Sequence, residues 1–274
     1  MRRAPSEIGV LNGGGLDWLG RNAVLFLPAS NERARAKARA SAADLVILDL
    51  EDAVRASDKA EARKAAVTAL EEPWPMPVAI RVNGIGSEWH EADLAAVRGA
   101  DCQLVVLPMV SDPAQLPDVG KPVAAMIETA AGVLAAPAIA RRAAALITGT
   151  NDLSADLRLP PDAGREPLRT ALQLILLAAR AAGIPAIDGV FNRLDDPEGF
   201  VAECAESRRM GFDGKSLIHP DQIAPCQAAF APTAEELARA ERLVAAATGG
   251  AERFEGAMIE EMHVEAARRL LARR

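Results

Sequence analysis

The stretch DLVILDLEDAV, residues 44–54, decides how the chain is read. Leu45, Val46, Ile47 and Leu48 form a short apolar run, the signature of a strand buried on both faces in a parallel sheet. Asp49, Glu51 and Asp52 follow within four positions. Either the chain surfaces there and the acids are solvated, or the strand ends in a site and the acids belong to it.

Seven more runs of the same kind lie along the chain, at 23–28, 77–83, 102–108, 122–128, 144–150, 184–190 and 214–220. Alanine-rich stretches with Lys, Arg, Glu or Leu alternate with them, and residues 31–42, 57–71, 165–182 and 196–210 read as helices. Ser30, Ser57 and Asp195 are the expected N-caps. Eight strands alternating with helices predict an α/β fold, a (β/α)8 or TIM barrel rather than an open sheet, although periodicity alone is compatible with the open form. Two more helices, near 233–247 and 259–272, form a C-terminal arm, and TGGAERFEG between them reads as a flexible hinge. The expected division is a flexible leader at 1–22, a barrel at 23–230 and a C-terminal extension or lid at 231–274.

Composition narrows the function. Half of the 274 residues are apolar, enough for a large core, and the net charge of −7 argues against nonspecific binding to nucleic acid or to an anionic membrane. Three scattered cysteines form no pair motif, which suits a reduced compartment. The N-terminus has no apolar signal core, and TALQLILLAARAAGIPAI is too short and too interrupted to span a bilayer. The expectation is a soluble, cytoplasmic protein.

Active sites of such barrels lie at the C-terminal ends of the strands. Polar residues gather there: Ser30, Arg33 and Lys37 after the first run; Asp49, Glu51 and Asp52 after the second; Arg81 and Asn83 in the third; Glu128 and Thr129 after the fifth; Asn151 and Asp152 in GTNDLS after the sixth; Asp188 and Asn192 around the seventh; Lys215 and His219 in the eighth. Glu128 and Asp152 lie 24 residues apart, about one repeat unit, so neighbouring strand ends present them together. Two hard carboxylates without His or Cys nearby suit Mg²⁺ or Mn²⁺; the alternative is a pair of helix-capping acids. Arg81 suits a substrate carboxylate or thioester oxygen, or an ion pair with Asp49 or Glu51, and both can hold at once. His219 reads more readily as a satisfied structural group than as a general base.

LVILDLEDAV, KAEARKAAV, IRVNG, VLPM, MIETAAGV, ITGTNDLSADL and GFDGKSLIHPDQI, in that order, resemble the HpcH/HpaI aldolase/citrate lyase family, and within it the citrate lyase beta subunit-like CoA-ester lyases. The resemblance runs from about Leu25 to the C-terminus. It implies a (β/α)8 barrel, a bound Mg²⁺ and reversible C–C cleavage of a CoA-thioester substrate. By position Glu128 and Asp152 match the metal ligands, Arg81 the substrate-binding arginine, and Asp49 and Glu51 the acids that support it. Arg33 and Lys37 match basic positions near the CoA phosphates. Members form trimers or hexamers, and the C-terminal arm of several supplies a catalytic acid to a neighbour. The family's G-x-M-I-D in that arm is GAMIE here, which puts Glu260 where many members have Asp.

The expected reaction is retro-Claisen cleavage of a malyl-CoA or citramalyl-CoA type substrate. Thioester hydrolysis, service as a citrate lyase beta subunit on a carrier-protein thioester, and metabolite binding on an inactive barrel are the alternatives. Ala29, Met109 and Val190 are candidates for choosing between glyoxylate and pyruvate as product.

Overall fold

The computed structural model describes residues 16–272, which divide into two compact units meeting at 229/230. The first is built around eight parallel strands that close into a barrel in sequence order: β1 (Ala23–Pro28), β2 (Leu45–Asp49), β3 (Val78–Arg81), β4 (Leu104–Leu107), β5 (Val123–Ile127), β6 (Ala145–Thr148), β7 (Ala186–Asp188) and β8 (Gly214–Leu217). All eight apolar runs are strands. β1 pairs with β8 to complete the ring.

Around the barrel run α1 (Glu32–Arg39), α2 (Lys59–Ala69), α3 (His90–Gly99), α4 (Ala130–Ala140), α5 (Thr150–Asp156), α6 (Arg169–Ala182), α7 (Pro197–Met210) and α8 (Ile223–Phe230). After β4 there is only a 3-10 turn at Pro113–Gln115, capped by Asp112, so the fourth repeat has no α-helix. Asn31 caps α1 and Asp196 caps α7, each one residue beyond the expected cap, while Ser57 lies inside a 3-10 turn preceding α2. Asn31 and Asp196 accept from the free N–H groups of the first turn, whereas the start of α2 has no side-chain cap.

The barrel interior is a continuous core of Val24, Leu45, Ile47, Ala79, Leu104, Val106, Ala124, Met126, Ala145, Ile147 and Ile187. Of the expected leader, residues 1–15 lie outside the described residues; Leu16 and Trp18 are buried against this core.

The second unit holds α9 (Ala234–Ala246), β9 (Glu252–Phe254), β10 (Ala257–Ile259) and α10 (Glu261–Leu271), with its own core of Ala240, Leu243, Ile259, Val264 and Ala267. The segment read as a hinge folds here as a two-residue hairpin. Glu255 and Gly256 have φ of 49° and 84°, the doubly left-handed turn that matches the twist of paired strands. Glu255 is held in that backbone by Arg239 and Arg242 of α9.

Candidate active site

Side chains alternate across a strand, so a residue two places beyond an inward apolar one also points inward. Leu45 and Ile47 belong to the interior core, and Asp49 is next. Ala79 is followed in this way by Arg81, Met126 by Glu128, Ile147 by Gly149, and Val24 by Phe26. The next layer above the apolar core therefore carries charged side chains, Asp49, Arg81 and Glu128. A cavity of about 350 Å³ opens there, lined by Phe26, Asp49, Arg81, Met126, Glu128 and Asp152 among others. Asp49 and Asp52, from the acidic end of the DLVILDLEDAV stretch, border the cavity.

Asp49 is 1 % exposed and its carboxylate is fully used. It accepts from Arg81 Nε at 2.6 Å and Nη2 at 2.7 Å, and from the backbone N–H groups of Glu51 at 2.9 Å and Ala53 at 3.0 Å. The bidentate pair fixes the guanidinium plane. Nη1 then reaches Glu51 at 3.0 Å and Asp52 at 3.4 Å. Phe26 lies 5.3 Å beneath the guanidinium, a stacking aromatic delivered by β1 rather than by Arg81's own strand. Arg81 is thus ion-paired, as one of its two readings expects, and also lines the cavity.

Lys59, at the start of α2, looked like an ordinary helix-forming lysine in the sequence. It is buried, and its Nζ donates to the carbonyls of Leu50 at 2.9 Å and Glu51 at 2.7 Å and to Asn83 Oδ1 at 2.6 Å. Asn83 is held in turn by Asp93, which pairs with Arg63. A cation from behind thus fixes the backbone of the acidic loop.

Glu128 is 2 % exposed. Its Oε1 accepts the N–H of Met109 at 2.6 Å, and Met109 adopts φ of 55° to deliver that N–H. Gly149 is required opposite it, since a Cβ there would collide with the Glu128 carboxylate. Asp152 sits in the first turn of α5. Burial pushes the Glu128 carboxyl up to about 7, against the Met109 N–H, and the charge of Asp152 adds to the rise. Glu51 is raised to about 8, chiefly by burial; Arg81 opposes the rise, and Asp52 and Glu128 assist it. Asp152 is also raised, by burial and by Asp52. This is an excess of negative charge that a cation would relieve. Among the described residues no group of three or more His, Cys, Asp or Glu side chains makes a closed metal cage. Two carboxylate donors with remaining positions open suit a hard cation that keeps water or substrate oxygen as ligands.

A second cavity, about 1080 Å³, is lined by Arg33 and Lys37 on one face of α1 and by His219, Pro220 and Asp221 after β8. It shares Phe26, Leu27, Pro28 and Ile218 with the first. His219 caps its own turn, its Nδ1 accepting the N–H of Asp221 at 3.2 Å. Asp188, Lys215 and Ser207 are fully buried and form a separate cluster with the half-buried Arg165 and Glu203. Of the product-selecting candidates, Val190 lines the first cavity, Met109 contributes its backbone to Glu128, and Ala29 is buried. Glu260 lies in the second unit, exposed, at the N-terminus of α10, its N–H donating to His263 Nδ1 at 2.9 Å.

The sequence profile of the HpcH/HpaI aldolase/citrate lyase family matches residues 22–220. The chain belongs to that family. Within it the chain is 42 % identical over 267 residues to a (3S)-malyl-CoA thioesterase of Cereibacter sphaeroides KD131, covering 91 % of this chain and 93 % of that one. It is 32 % identical to the citrate lyase subunit beta of Escherichia coli K12, covering 92 % and 93 %. The crystal structure of CitE from Mycobacterium tuberculosis with magnesium, acetoacetate and coenzyme A superposes with a TM-score of 0.82 at 35 % identity, over 92 % of this chain and 98 % of that one. That CitE structure and this chain share one fold, here a (β/α)8 barrel. Among the described residues no helix is long and apolar enough to cross a membrane.

Proposed function

We propose that the protein is a Mg²⁺-dependent CoA-ester lyase. Its substrate is a 3-hydroxyacyl-CoA with a carboxylate beside the hydroxyl, of the malyl-CoA or citramalyl-CoA type, and its products are a 2-oxo acid and an acyl-CoA. The carrying observation is the convergence of Arg81 with Glu128 and Asp152 on one cavity at the strand ends. Glu128 and Asp152 would hold the cation, and their oxygen-only, doubly anionic character fits it. Bound there, Mg²⁺ supplies a Lewis acid and a template for the hydroxyl and carboxylate oxygens of the substrate.

The protein's own groups do the rest. A carboxylate accepts the hydroxyl proton; by position in the family this is Glu260, furnished by a neighbouring copy in a homo-oligomer, a trimer or hexamer. The O–H electron pair becomes the C=O bond of the 2-oxo acid. The bond between the carbinol carbon and the α-carbon breaks, and its electron pair moves onto the α-carbon and the thioester oxygen. One proton returned to the α-carbon completes the acyl-CoA. Arg81, held in plane by Asp49 and Glu51, faces the oxygen on which charge develops. Arg33 and Lys37 sit where phosphates of the CoA moiety would be met by cations.

Glu128→Gln and Asp152→Asn are each expected to lower Mg²⁺-dependent cleavage by more than about a hundredfold. Undiminished metal-dependent turnover in either variant refutes the reading. The 42 % identity to a thioesterase supports a second reading, in which water attacks the thioester in the same cavity. It differs in product: free CoA thiol appears and no 2-oxo acid does.

A further inference from the structure

Ser216 is the third residue of β8 and is 2 % exposed. Its hydroxyl has no hydrogen-bond partner among the described residues. Buried hydroxyls nearly always find one, since a bare one carries its full desolvation cost. The direction of this hydroxyl follows from its neighbour. Lys215 Nζ reaches Asp188 at 2.9 Å and Glu203 of α7 at 2.7 Å, on the helix side of the sheet. By alternation Ser216 points to the barrel axis. It lines the cavity that holds Arg81, Met126 and Glu128 and does not line the larger cavity beside Arg33 and Lys37; Ile218, two residues on, lines both.

We propose that Ser216 is a specificity-determining contact whose O–H donates to an oxygen of the small-acid half of the substrate, the half released as 2-oxo acid. This rests on the lyase reading above. The CoA half needs the larger, basic cavity, and Ser216 is absent from it. The small acid is left for the inner cavity, and it is rich in acceptor oxygens. Donors to meet them are scarce. Arg81 Nε and Nη2 are engaged by Asp49, Thr148 donates to Asp188 at 3.4 Å, Asn151 and Asn192 are hydrogen-bonded to each other, the acidic side chains are acceptors, and Thr150 is the other hydroxyl in the lining. Among the described residues Ser216 is a buried donor with nothing else to bind. A site built around a hydrogen bond rejects analogues that lack the partner oxygen far more strongly than an apolar pocket rejects a methyl group.

The test is calorimetric titration of the full-length protein with glyoxylate and with pyruvate at saturating Mg²⁺, alongside ligand-free thermal melts. Wild type, S216A and S216T are compared. The expected result is that S216A weakens binding about 5–30-fold for an acid that wild type binds, as befits one lost charge-assisted hydrogen bond. Its Tm should equal or exceed that of wild type, because the variant removes an unpaired buried hydroxyl. S216T, which restores the O–H, should recover most of the affinity. Binding by S216A within twofold of wild type overturns the proposal, as does weakened binding accompanied by a Tm several degrees lower, which marks a structural serine. If wild type binds neither acid, the lyase reading falls and this inference with it; if wild type binds and S216A matches it, only the role of Ser216 falls.

Discussion

Asp49→Asn tests whether the acidic strand end exists to hold Arg81. The Asp49 carboxylate accepts two hydrogen bonds on each oxygen, one from the Arg81 guanidinium and one from a backbone N–H in each case. Asparagine keeps the shape and replaces one oxygen with an NH₂. Two donors then face a donor, and the guanidinium loses the most buried of its ion-pair partners. Breaking a buried ion pair by removing one partner costs about 3–5 kcal/mol. Arg81 retains Glu51 at 3.0 Å and Asp52 at 3.4 Å, so the lower end applies, about 3 kcal/mol. For a chain of this size each kcal/mol moves Tm by roughly 2–4 °C, which predicts a fall of roughly 6–12 °C. Released from its plane, the guanidinium is also misplaced by the order of 1 Å, enough to lower kcat by about a hundredfold. Thermal unfolding by circular dichroism and steady-state kinetics on one preparation measure both. A variant that melts within about 2 °C of wild type and keeps its kcat refutes the argument.

Reversing charge in the larger cavity, with Arg33→Glu and Lys37→Glu together, is expected to raise KM for the CoA thioester at least about tenfold with kcat changed less than threefold; an unchanged KM removes both residues from the CoA site. Within the Asp188 cluster, burial would raise the carboxyl, but the charges of Lys215 and Arg165 outweigh it and hold the group at about 2, below the ordinary 3.8. A depressed folded-state value contributes stability that is fully present above about pH 4 and is lost as pH falls through about 2, some 2 kcal/mol in all. Carboxyl-carbon NMR should find Asp188 still ionised at pH 3, and a midpoint at or above 3.8 contradicts the cluster's role. Lys59→Met is expected to leave substrate KM near wild type while lowering kcat about tenfold or more, because it loosens the loop carrying Glu51 without touching the cavity; equal effects on a variant of the exposed Lys64 would contradict it.

The strands were legible because strands covered on both faces are continuous apolar runs, and DLVILDL, CQLVVLP and AALITGT have little else in them. The carboxylates were legible because they terminate such runs: Asp49 and Glu128 each stand one alternation beyond an interior apolar residue. Other features leave no local signal. Lys59 sits in KAEARK, where its neighbours Glu61 and Lys64 are exposed and only tertiary contact distinguishes it. The N-caps of α1 and α7 were displaced by one because two capping residues stand side by side, Ser30 with Asn31 and Asp195 with Asp196. The arm's hairpin was read as a hinge because Glu255, not Asn or Asp, occupies the left-handed turn position, and what stabilises it there is a pair of arginines from another helix. Ser216 stands beside another polar residue, Lys215, in β8, and only the missing partner of its hydroxyl among the described residues singles it out.

The most direct test of the central claim is product analysis on purified protein with Mg²⁺, offering malyl-CoA and citramalyl-CoA separately, trapping 2-oxo acid with phenylhydrazine and counting free thiol in parallel. The account predicts glyoxylate or pyruvate without free thiol, abolished in Glu128→Gln. Free thiol without any 2-oxo acid contradicts it and makes the protein a thioesterase.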